Sequence, residues 1–170
     1  VQVSWQHDIR SATRLAVVQG LYQIEVSGLS CETVINQFLS HQKGAVGVNE
    51  TSCMIDKELF SDMIVHVEGD RPLLDNHIVA VLSREWSMDR LGATMRALLR
   101  AACYELVTRS IVPARVVIKE YVDIAGEFHG PSETGFVNAA VDRLARDLRS
   151  EEMKIGQPEG GSKVDAAAGQ

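Results

Sequence analysis

Residues 113–146, PARVVIKEYVDIAGEFHGPSETGFVNAAVDRLAR, carry two apolar stripes at three- and four-residue steps, interrupted once by Gly130-Pro131. Such a period fits one face of an α-helix and cannot be satisfied by a strand, whose faces alternate every residue. Val117, Tyr121, Ile124 and Phe128 share one side of the first segment. Val137, Ala140, Val141, Leu144 and Leu148 share one side of the second, and Phe136 lies one step off that line, as a partly buried residue would. Nothing in the stretch resembles an active site, which directs attention to surfaces instead of pockets.

The same period runs upstream. Asp8 is positioned to cap a helix running to about Ser27, with Ala12, Leu15, Val18, Tyr22 and Val26 as its stripe and Gly28 as its stop. Ser30 starts a second helix over CETVINQFLSHQ, and residues 43–55 read as a loop. Asp56 caps a third helix, Pro72 opens a fourth that reaches Trp86, and a fifth helical region runs from Ser87 to Arg109 with Gly92 interrupting its first turn. Pro113 opens the sixth and Ser132 caps the seventh. Residues 1–7 read as an arm, and from Ser150 the Gly-, Ala- and Ser-rich composition predicts a disordered tail, 150–170. The expected fold class is all-α: about seven helices forming one bundle or two packed together.

Charge narrows the function. The net charge of −6 argues against non-specific duplex binding. The distribution is uneven, however: Glu50–Asp75 is acidic, and Arg84–Arg115 holds six arginines against three acids. One reading makes these blocks two sides of a docking surface for a basic protein; ordinary surface charge, such as Arg100 with Glu105, is the plainer account. The five histidines are scattered without metal-ligand spacing, and no glycine-rich phosphate loop occurs, so no catalytic residue, metal or cofactor is expected. Three well-separated cysteines suit a reducing compartment, and the absence of a long apolar run predicts a cytoplasmic protein without membrane contact.

Four blocks then occur in a telling order: Ser11–Tyr22 (SATRLAVVQGLY), Met95–Leu106 (MRALLRAACYEL), Val112–Glu120 (VPARVVIKE) and Gly135–Asp142 (GFVNAAVD). In sequence and spacing they resemble the NusB family of transcription antitermination factors, over about residues 8–149. The chain differs from common family residues at Lys119, Gly135 and Ala139. The resemblance implies a double three-helix bundle, with halves at about 8–69 and 72–149. It implies binding of single-stranded boxA RNA in ribosomal RNA transcripts together with the small-subunit ribosomal protein NusE, alongside other Nus factors and RNA polymerase. A helical protein-interaction scaffold or homodimer without direct RNA binding is the alternative.

Six residues form the candidate RNA-binding set. Arg10 and Arg14 are four apart near a helix start, where positive charge opposes the macrodipole; that placement suits a phosphate partner better than stability. Solvated surface arginines are the bland account; on the RNA-binding reading, removing both should weaken RNA binding and leave thermal stability unchanged or slightly raised. The resemblance places Tyr22 and Phe136 at or near the RNA surface, where unpaired bases are read by stacking. Tyr22 also fits its helix's apolar stripe, so a core position stands beside the RNA-facing one. Gln19 and Asn138 have the chemistry to bond base edges, or equally to satisfy backbone groups near helix ends.

Overall fold

The computed structural model describes residues 9–44, 55–83 and 86–155. Among these are eight α-helices and no strand: α1 (Ile9–Ser27), α2 (Cys31–Gly44), α3 (Lys57–Gly69), α4 (Arg71–Val81), α5 (Ala93–Thr108), α6 (Ala114–Phe128), α7 (Pro131–Leu148) and α8 (Ser150–Ile155). The expected arm, the Asp8 cap and most of the 43–55 loop lie outside the described residues.

Local chemistry sets the helix ends. Gly28 follows α1 with φ +68°, a left-handed conformation natural to glycine, and its N–H donates to the Ile24 carbonyl at 2.9 Å. Ser30 Oγ accepts from Thr33 N at 3.2 Å as α2 begins, and Asp56 Oδ1 accepts from Leu59 N at 2.9 Å to cap α3. The cap of α7 is Gly130 rather than Ser132, because Pro131 takes the first helical position, where its missing N–H costs nothing.

Two boundaries differ more substantially. The fourth helix ends at Val81, not Trp86, and Leu82 turns extended at ψ 149°. One 3₁₀ turn at Met88–Arg90 precedes α5, whose cap is Gly92. Arg96 holds this connector by donating to the carbonyls of Met88 and Leu91, so those groups are satisfied outside a helix. At the other end, the expected tail begins with α8. Its Met153 is buried, and Glu152 accepts from the backbone N–H of Ala114 at 2.6 Å. Residues 156–170 lie outside the described residues.

The core forms around α5, which packs against α1, α3, α4, α6 and α7. Every residue from Ala97 to Leu106 is buried, so this stretch of the helix has no solvent face. A side chain enclosed on all sides must be apolar or fully paired. Ala97, Ala101 and Ala102 let neighbours approach, and Cys103 behaves as a small hydrophobe whose burial pushes its thiol up to about 12. Gly20 serves the same end on α1: a Cβ there would stand 2.8 Å from Ile64 Cδ1 of α3.

Candidate functional site

Four helices crowd α1, and each claims an arc of it; α6 does so through Glu120, which accepts from Ser11 Oγ at 2.6 Å. Thr13 Oγ1 accepts from the Asp56 N–H at the start of α3, Gln23 meets Gln37 of α2, and Arg14 and Glu25 reach α5. The stripe read from the sequence is therefore rotated. Val17, Val18, Leu21 and Ile24 carry the burial, while Leu15 is half-buried and Tyr22 and Val26 are exposed. At roughly 100° per residue, Leu15, Gln19, Tyr22 and Val26 share one outward arc. Tyr22 is 42 % exposed there, with Gln19 exposed beside it.

The arginine pair does not act together. Arg10 is exposed at the start of α1, roughly 120° round the helix from Tyr22 and 180° from Gln19. Arg14 is only 3 % exposed. Its Nε donates to Glu105 Oε2 at 2.6 Å, its Nη2 to Glu105 Oε1 at 3.1 Å and its Nη1 to Glu120 Oε2 at 3.3 Å. Burial opposes the charge on Arg14, but the Glu105 hydrogen bond and the surrounding negative charges outweigh it, so the guanidinium titrates above its ordinary value. The expectation that Arg14 faces a phosphate is corrected: its fork already grips a carboxylate. Tyr121 lies beside this network, and burial, reinforced by the Glu105 charge, pushes its phenol well up and keeps it neutral.

Phe136 and Asn138 also part company. Two positions apart on α7, they point roughly 200° away from each other, to either side of buried Val137. Asn138 opens on a groove of about 370 Å³ between α6, α7 and α8, floored by Ile118, Val122 and Met153. The rim cations Lys119 and Arg146 are paired there with Asp123 and Asp142. Phe136 is half-buried and meets the ring of Trp86 at a centroid distance of 5.0 Å and an interplanar angle of 44°. Trp86 is absent from the sequence-derived set. Its signal was a tryptophan among polar residues at the expected end of a helix, a ring with no stripe to join.

Among the described arginines of 84–115, Arg90 and Arg115 are exposed, but Arg96 and Arg100 turn inward and leave the strip interrupted. Arg100 is buried and donates to Asp75 Oδ1 and Oδ2 at 2.7 and 2.9 Å and to Glu25 at 2.8 Å, not to Glu105. Arg96 also binds Glu25. Burial raises the Glu25 carboxyl, but Arg96 and Arg100 outweigh it and hold it below the ordinary value. The acidic and basic blocks thus meet at the ion pair of Asp75 with Arg100, while Glu58, Asp62 and Asp70 of the acidic block remain exposed. Outside, Asp123 and Glu127 of α6 stand exposed beside Ser11 and Leu15 of α1. Among the described residues no His, Cys, Asp and Glu cluster suits a metal, and no helix is long and apolar enough to cross a membrane.

The pattern that defines the NusB family matches residues 11–146. The chain belongs to the NusB family. A transcription antitermination protein NusB from Caulobacter vibrioides is 44% identical over 140 residues, covering 82% of this chain and 94% of its own. One from Maricaulis maris is 41% identical over 145 residues, covering 85% and 91%. The NusB structure from T. maritima superposes with a TM-score of 0.69 at 28% identity, over 85% of this chain and 96% of that one. NusB from Aquifex aeolicus shares the fold with a TM-score of 0.62 at 19% identity, over 93% and 98%. The all-α architecture is therefore that of NusB, a family of regulatory transcription proteins rather than enzymes.

Proposed function

We propose that this protein is a transcription antitermination factor that binds single-stranded boxA-type RNA of ribosomal RNA transcripts together with the ribosomal protein NusE. Other Nus factors and RNA polymerase are the wider assembly, and the cytoplasm is its place. Tyr22 carries the reading. An aromatic ring left 42 % exposed, on an arc of α1 that its neighbours do not cover, is suited to stack an unpaired base. Gln19 lies on the same arc with donor and acceptor groups for a base edge, and Arg10 supplies a cation at the helix start. The exposed carboxylates of Asp123 and Glu127 complement a basic ribosomal protein. Arg14 belongs to the fold in this reading, and Phe136 is half-buried.

The test is titration of fluorescent boxA-type RNA with the protein, alone and with NusE. The expected result is salt-dependent binding that Tyr22→Ala weakens roughly 5- to 100-fold, without loss of thermal stability. Arg10→Ala should weaken binding and reduce the salt slope by roughly 0.7. A complex that forms with NusE but never takes up RNA would instead establish the scaffold reading.

A further inference from the structure

We infer that Trp86 is the ring on which a second unpaired RNA base stacks, and that Phe136 acts from behind it. The inference rests on the RNA-binding reading above and adds a residue which that reading did not contain. Phe136 is half-buried against the core, whereas Trp86 is 43 % exposed. A base arriving from solvent meets the indole first, and the 5.0 Å contact with Phe136 backs it.

The ring sits on a fixed support. Trp86 N–H donates to the Ser83 carbonyl at 2.9 Å, and Arg90 N–H to Ser87 at 3.0 Å. Arg96 then ties the connector down, donating to the carbonyls of Met88 and Leu91 while its Nε holds Glu25 Oε1 at 2.7 Å. Glu25 is one turn beyond Tyr22 on α1, so a single guanidinium links the connector that carries Trp86 to the end of α1 that carries Tyr22. A ring held in this way loses little freedom on binding. Its chain neighbours favour a base over a protein partner: Ser83, Ser87, Asp89 and Arg90 are all exposed and polar. A base stacks on one ring and leaves its edges and phosphate wet, whereas a protein interface has a contiguous apolar centre.

The full chain contains two tryptophans, Trp5 and Trp86, so Trp5→Phe leaves Trp86 as sole reporter. Labelled boxA-type RNA is titrated with NusE present, reading RNA anisotropy and indole emission together. The expected results are quenching of Trp86 and a roughly 5- to 100-fold loss of RNA affinity in Trp86→Ala. Trp86→Phe should keep most of the affinity, and Phe136→Leu should lose less than Trp86→Ala. Unquenched emission on RNA saturation overturns the inference, even if Trp86→Ala fails to fold, and leaves the RNA reading standing. A Trp86→Ala protein that loses NusE but keeps RNA also overturns it. If the Trp5→Phe protein and the wild type both take up no RNA, the RNA reading itself falls and this inference with it.

Discussion

The guanidinium of Arg14 meets the carboxylate of Glu105 through two hydrogen bonds, 2.6 and 3.1 Å long, in a place shut off from water. The pair fastens α1 to α5, and the Nη1 contact with Glu120 extends it to α6. Removing one member of such a pair leaves a buried charge without its counterpart. Arg14→Ala should therefore cost about 3–5 kcal/mol in urea unfolding. This reverses the expectation, read from helix position, that replacing Arg14 together with Arg10 leaves thermal stability unchanged or slightly raised. Arg10→Ala should stay within about 0.5 kcal/mol of wild type.

Glu25 gives the fold an acid-sensitive point. Its ordinary value is 4.5, and Arg96 and Arg100 hold it lower in the folded protein. The unfolded chain therefore binds the proton more readily, and acid favours unfolding. The contribution is complete above about pH 4.5 and disappears as pH falls through the lowered folded value. Melting temperature measured from pH 7 to pH 3 should fall less steeply in Glu25→Gln than in wild type, from a lower starting point.

Arg149 closes the far end of α5. Its Nη2, Nε and Nη1 donate to the carbonyls of Glu105, Leu106 and Val112 at 2.7, 2.7 and 2.6 Å. The Glu105 carbonyl also accepts from the Arg109 N–H at 3.0 Å, while those of Leu106 and Val112 belong to the helix end and the turn after it, where carbonyls lose their helical partners. Arg149→Ala should destabilise by about 2–3 kcal/mol, and Arg149→Lys should recover only part of that, since an ammonium lacks the planar fork. Chemical denaturation of the three proteins checks the order.

Gly28 bears the only positive φ recorded among the described glycines. Gly28→Ala should lower stability by about 1 kcal/mol, because a Cβ strains the left-handed region, although no atom lies within 4 Å to clash with it. Gly28→Asn should lose less. Thermal melts of the two variants separate backbone strain from crowding.

The helices were legible because their signals are local. Asp56 and Gly28 mark ends through bonds to residues three or four positions away, Pro131 marks one through its missing N–H, and the period of α6 and α7 faces a single core. The site was less legible because its determinants are distant in sequence. Arg14 is 91 residues from Glu105, and no spacing rule announces such a partner. Tyr22 fits an apolar stripe, yet α2, α3, α5 and α6 enclose a different arc of α1 and leave it outside. Phe136 and Asn138 are near neighbours in sequence but address opposite sides of α7, and Trp86 gained meaning only once Phe136 was seen against it.

The ion pairs inside the bundle also bear on how an RNA strand would first encounter this molecule. Arg14, Arg96 and Arg100 are matched within the fold by Glu105, Glu120, Glu25 and Asp75, so interior neutralisation does nothing to relieve the formal −6. The far field seen by a polyanion is repulsive, which slows its capture at low ionic strength. A cationic escort would reverse the sign of that field, and recruitment would then depend on which of the two arrives first.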